Sequence, residues 1–100
     1  MQFTLEIFDQ NEEQIISTLR GLDKVAFRAL NEYGESDEET EWEGREEKLK
    51  EFSLLRPGVL FQLSVYDYRN SEFGEPVREY YKDGKMEIAF PVITYPSCTL

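Results

Sequence analysis

Apolar and polar residues alternate at the start of the chain: Phe3, Leu5 and Ile7 fall on one side, Gln2, Thr4 and Glu6 on the other. A period of two over residues 2–8 predicts a half-buried strand, because successive side chains of an extended backbone point to opposite faces. The period then changes. Ile15, Ile16 and Leu19 share one helical stripe, Asp9 followed by Glu12 has the form of a capping box, and Gly21 stands where a C-cap is wanted. A helix running to about Arg20 is predicted. Residues 24–30 fit two patterns. The alternation of Val25, Phe27 and Ala29 favours a strand that ends at the turn-forming run Asn31-Glu32-Tyr33-Gly34, and Val25, Arg28 and Ala29 would also suit a short helix capped by Asp23. The strand is the preferred reading because of the turn that follows it.

A second helix is predicted from Glu43 to Leu55, with Trp42, Leu49, Phe52 and Leu55 near one stripe and Glu46–Lys50 as a favourable i,i+4 pair. Pro57-Gly58 ends it. Val59, Phe61, Leu63 and Val65 then alternate with Leu60, Gln62, Ser64 and Tyr66, which predicts a long strand with a strongly apolar face. Residues 69–76 form a polar loop. Asp83-Gly84 is a preferred pair for a two-residue type I′ turn, so a hairpin is expected with Lys82 opposite Lys85, Tyr81 opposite Met86, Glu79 opposite Ile88 and Val77 opposite Phe90. Met86, Ile88 and Phe90 should then face the core beside Val77 and Tyr81. Pro91 and Pro96 place the final segment at an edge or outside the sheet. The predicted order is β-α-β-α-β-β-β: a largely antiparallel sheet with two helices on one face, an α+β fold of loosely ferredoxin-like kind.

One hundred residues make one domain, 1–100, and 40% hydrophobic content is enough for a packed core. The formal charge of −10 lies outside the range of about 2–8 usual for a small domain. Such a field disfavours nucleic acid and anionic membrane as direct ligands and favours a basic protein partner. No run approaches the length of a membrane span, the N-terminal segment lacks a signal-peptide pattern, and Cys98 stands alone, so a cytoplasmic protein without an intrachain disulfide is expected.

The absence of histidine and the single cysteine remove zinc sites and Ser-His or Cys-His catalysis, and the six glycines form no phosphate-cradling loop. Glu35, Asp37, Glu39 and Glu41 alternate without the spacing of a calcium loop. No metal, cofactor or enzymatic activity is expected. The informative segment is residues 32–47, which holds nine of the 21 acids against one base, Arg45. It reads either as a solvating loop, centred on about 32–43, or as a surrogate polyanion. Extended, its net charge is spaced at roughly 6–7 Å; coiled as helix, at about 3 Å, near the ~3.4 Å of a phosphate strand. Close charge mimicry therefore calls for helix, and Gly34 and Gly44 oppose a continuous one. Tyr66, Tyr68 and Tyr80, on the less apolar strand faces, add aromatic anchors of the kind that dominate protein interfaces.

From about Asn31 onward the chain resembles small uncharacterised phage and mobile-element proteins. They share a tryptophan after an acidic turn, a charged helix, a P-x-V-L-F-x-L strand and a hairpin ending in Y-[FY]-K-[DN]-G-K. The corresponding parts here are Trp42, Arg45–Ser53, Pro57–Leu63 and Tyr80–Lys85. The usual acidic glycine-containing loop after the strand is replaced by Tyr66-Asp67-Tyr68-Arg69-Asn70, and a tryptophan common in the hairpin is Val77. The resemblance implies provenance and an α+β fold. Together these features predict a non-enzymatic inhibitor, of anti-CRISPR or other anti-defence type, that blocks a basic surface of a nucleic-acid-handling host protein. Asp37, Glu38, Glu39, Glu41 and Glu43 would supply charge, and Trp42, Tyr66, Tyr68 and Tyr80 would serve as anchors. The alternatives are an immunity protein against a basic toxin and a homo-oligomeric module pairing through a sheet edge.

Overall fold

A computed structural model of the chain describes residues 1–66 and 76–89. Its elements are β1 (Gln2–Ile7), α1 (Glu12–Leu22), α2 (Lys24–Ala29), α3 (Arg45–Leu55), β2 (Phe61–Tyr66), β3 (Val77–Lys82) and β4 (Lys85–Ala89). The four strands form one antiparallel sheet in the sequential order β1-β2-β3-β4. The protein is an α+β fold. All three helices fall between β1 and β2, so the sheet is a plain meander and lacks the interleaving of a ferredoxin-like order.

The strand registers decide which residues meet. Phe3, Leu5 and Ile7 lie opposite Val65, Leu63 and Phe61, and Phe61, Leu63 and Val65 lie opposite Tyr81, Glu79 and Val77. One sheet face therefore carries the apolar row of every strand, as the period of two demands. Ile15, Ile16 and Leu19 of α1, Ala26 and Ala29 of α2, and Leu49 and Phe52 of α3 close over that face in a single cluster. Each fully buried Phe, Leu or Ile contributes roughly 1.5–3 kcal/mol. The opposite sheet face is polar and is left open by the helices: Thr4, Glu6, Gln62, Tyr66, Arg78, Tyr80 and Glu87 lie on it.

Several local expectations are corrected. Residues 24–29 are helix. Asp23 Oδ1 accepts from Val25 N at 3.1 Å as a side-chain cap, and Ala26 and Ala29, three apart, point into the core. The alternating Val25 and Phe27 that suggested a strand are exposed; two alanines on one side let a short helix lie close to its neighbours, which alternation does not register. α1 runs through Gly21 and stops at extended Asp23. Asp9 makes a turn by accepting from Asn11 N at 2.8 Å, and Glu12 Oε2 reaches back to Ile7 N at 2.7 Å. In α3, Ser53 is buried and Leu55 is exposed, opposite to the predicted stripe.

The hairpin forms in the predicted register, with positive φ at both Asp83 and Gly84 as a type I′ turn requires. Its tip is fastened to the end of α3: Gly84 N donates to Ser53 Oγ and Gly58 N to Asp83 Oδ1, both at 2.8 Å. Ile88, expected in the core, is 46% exposed; it lies on β4, the outermost strand of the sheet among the described residues. Phe90, Pro91, Pro96, Cys98 and most of the predicted 69–76 loop lie outside the described residues.

Candidate functional site

The acidic segment begins at a turn organised by Asn31. The Asn31 side-chain oxygen accepts from Tyr33 N at 2.8 Å and Glu35 N at 3.1 Å, while its amide nitrogen donates to Asp37 Oδ1 at 2.9 Å. From there the chain runs antiparallel along the free edge of β1. Leu5 N donates to Gly34 O, Ser36 N to Phe3 O and Thr40 N to Met1 O, at 2.7, 2.8 and 2.7 Å. Ser36 Oγ adds a second tie, accepting from Phe3 N at 2.9 Å and donating to Ala29 O at 2.7 Å. The edge of β1 is thus covered, which removes one site for unwanted strand pairing. In turn, the acids are held on a fixed backbone.

All nine acids of residues 32–47 are exposed. The single base among them turns inward. Arg45, at the first turn of α3, donates from Nε to Glu79 Oε1 at 3.2 Å and from Nη2 to Glu79 Oε2 at 2.9 Å, and its guanidinium lies 5.5 Å from the centre of the Phe3 ring. The outward surface of the segment therefore carries no positive charge from its own residues. Asp37 is engaged by Asn31, Glu39 Oε1 lies 3.3 Å from the N-terminal ammonium, and Glu46 lies 3.3 Å from Lys50. Glu38, Glu41 and Glu43 have no partner among the described residues.

The predicted charge residues Asp37, Glu38, Glu39, Glu41 and Glu43 thus share one exposed loop. Trp42 does not join them as an anchor. It is 1% exposed and packs edge-on against Phe3, with ring centroids 5.7 Å apart and planes at 87°. Its neighbours alternate outward while its own large apolar surface takes the inward position; its Nε1 is buried and has no acceptor among the described residues. Tyr66 and Tyr80 are half-buried on the open sheet face. Tyr66 lies opposite Gln2, about 10 Å or two strand spacings from the acidic loop. Tyr80 sits one strand farther, opposite Gln62. Tyr68 lies outside the described residues. Up to Gly44 the segment is a series of turns, bends and short irregular stretches, and it becomes helical only at Arg45, so most of its charges lack the close helical spacing that would match a phosphate strand.

Sequence reasoning missed Glu79. It lies on the core face between Leu63 and Ile88 and is 5% exposed. The predicted hairpin register already put it opposite Ile88, and a carboxylate on an apolar face signals a buried partner. Tyr81 completes the group, its hydroxyl donating to Glu79 Oε1 at 2.6 Å. Burial, then the hydrogen bond to Glu79 and its negative charge, push the Tyr81 hydroxyl far above the ordinary tyrosine range, with Arg45 opposing. The triad is structural: it anchors the start of α3, and with it the acidic loop, to the middle of the sheet.

Among the described residues no helix is long and apolar enough to cross a membrane. No protein-family model, no curated protein and no solved structure matches the chain, so the functional reading rests on geometry and charge.

Proposed function

We propose that the protein is a non-enzymatic, acidic inhibitor that binds a basic surface of a nucleic-acid-handling protein. The observation that carries this reading is the division of charge in residues 32–47: nine acids outside and the one base, Arg45, spent on Glu79 inside. A surface of one sign on a fixed loop raises the encounter rate with a partner of opposite sign and needs little ordering on binding. With the loop non-helical up to Gly44, complementarity is to a broad lysine- and arginine-rich patch and not to a site that grips closely spaced phosphates. Tyr66, half-buried on the open sheet face two strand spacings from the loop, would add an aromatic contact at the margin of this surface. In concrete form the protein would be phage- or mobile-element-encoded and would act against a host defence nuclease, in line with the resemblance of its second half.

The test is affinity capture from host lysate at about 50 mM and about 300 mM salt, with wild type and with Asp37, Glu38, Glu39, Glu41 and Glu43 all changed to lysine. A basic nucleic-acid-processing protein held by wild type at low salt, released at high salt and ignored by the variant supports the reading. A partner held equally by both proteins or at both salts overturns it, as does the lack of any partner.

A further inference from the structure

A cleft of about 300 Å³ opens between the helical layer and the acidic loop. Arg20, Phe27 and Arg28 line one side; Asp37, Glu38 and Glu39 line the other. Opposite charges face each other across it, yet among the described residues no ion pair joins the two sides.

Each wall is held in place by bonds that do not involve the other's charges. Arg20 Nε donates to Leu30 O at 3.0 Å, and the guanidinium stacks 4.5 Å from the centre of the Phe27 ring. That fixes the plane of Arg20 and leaves its two terminal nitrogens without a partner among the described residues. The acidic wall is held by the bonds of Ser36 N to Phe3 O and Thr40 N to Met1 O, and by Asn31 on Asp37. Glu38 has no partner among the described residues, and Glu39 Oε1 lies 3.3 Å from the N-terminal ammonium, a contact that a cationic ligand would replace. A guanidinium that is already fixed, as Arg20 is, is preorganised for a ligand, which need not pay to order it. The volume is at the lower end of the range for small-molecule sites.

We propose that this cleft binds a small zwitterion, with a carboxylate received by Arg20 and Arg28 and an ammonium or guanidinium received by Glu38 and Glu39. A carboxylate suits the terminal nitrogens of an arginine, which present parallel donors. Phe27, 57% exposed, offers an apolar surface for the methylenes between the two charges. The net charge of −10 works against a simple anion and favours a ligand with at least one cationic group. The class that meets all of these terms is a basic amino acid of the lysine or arginine type, either free or at the carboxyl end of a peptide. The site shares Glu38 and Glu39 with the acidic face but does not depend on that face binding a protein.

The experiment is an amide-resolved NMR titration of the full chain with L-lysine, with norleucine (no terminal cation) and with cadaverine (no carboxylate). Saturable shifts are expected at Arg20, Phe27, Arg28, Asn31 and residues 37–40, with lysine binding about tenfold more tightly than either analogue, the loss expected when one charge-assisted contact is missing. Glu38→Gln should abolish most of the preference over norleucine, and Arg28→Gln most of the preference over cadaverine; both residues are exposed, so both variants should keep the wild-type spectrum elsewhere. Nα-acetyl-lysine binding as tightly as lysine assigns the site to a chain end, and much weaker binding assigns it to the free amino acid. No saturable shift at these amides, or equal binding of all three probes, overturns the proposal.

Discussion

Arg45 and Glu79 are 34 residues apart in sequence and meet through two parallel hydrogen bonds, of 3.2 and 2.9 Å, beneath the acidic loop. Their side chains differ in exposure, 27% for Arg45 and 7% for Glu79. The carboxylate depends on the pair for its burial more than the guanidinium does. The same contact removes the acidic segment's only positive charge from the surface and ties the start of α3 to β3, so fold and surface charge are set by one interaction.

That asymmetry predicts unequal losses. Arg45→Met leaves a buried carboxylate with only the Tyr81 hydroxyl and should cost about 3–5 kcal/mol. Glu79→Leu lets Arg45 turn to water, and its main cost is the orphaned Tyr81 hydroxyl, about 1–3 kcal/mol. The double variant should recover much of the Arg45→Met loss. Urea unfolding of the three proteins measures this; equal losses for the two single variants would contradict the assigned geometry.

Alkaline pH should weaken the protein through Tyr81. An unfolded tyrosine ionises near pH ~10, while in the folded protein burial and Glu79 keep Tyr81 protonated to higher pH. Its folded-state pKa is raised, so its contribution is complete below about pH 10 and is lost as pH rises beyond that, at about 1.4 kcal/mol per pH unit. Stability measured between about pH 9 and 11 should show this slope, and Tyr81→Phe should remove it.

Trp42 serves as a built-in reporter. Its burial predicts blue-shifted emission and weak quenching by acrylamide, both nearly unchanged when a partner covers the acidic loop. Trp42→Ala should cost about 3–5 kcal/mol through the cavity it leaves against Phe3. Trp42→Phe should cost less, since it keeps an aromatic ring and removes the unpaired Nε1. Strong acrylamide quenching in the free protein would return Trp42 to the surface.

Gly34 and Gly44 separate two reasons for glycine. Both have φ near +80°, at 80° and 78°, so alanine at either position is strained by about 1–2 kcal/mol. At Gly44 a Cβ meets open space, whereas at Gly34 it would lie 2.7 Å from the Leu5 carbonyl oxygen and 3.0 Å from Ile16 Cδ1. Gly34→Ala should therefore destabilise by at least about 1 kcal/mol more than Gly44→Ala, because the β1 backbone, at the Leu5 carbonyl, stands in the way of the added Cβ. Comparable thermal unfolding of the two variants would argue against that close approach.

The readable parts of this chain were those governed by neighbours in sequence. Alternation at Phe3, Leu5 and Ile7, the positive-φ demand at Asp83-Gly84 and the acid-rich composition of residues 32–47 are local properties, and they yield β1, the hairpin with its register, and an acidic exposed segment. Residues 24–29 were misread because Ala26 and Ala29 matter only once α1 is there to pack against. Leu55 and Ile88 were misplaced because a helix stripe and a strand face are buried only as far as the facing layer extends. The inward position of Trp42, the pairing of Arg45 with Glu79, and the unbridged walls around Arg20 and Glu38 belong to the tertiary structure. Each joins segments far apart in sequence, and a charge or a ring finds its partner through packing geometry that no single stretch of residues contains.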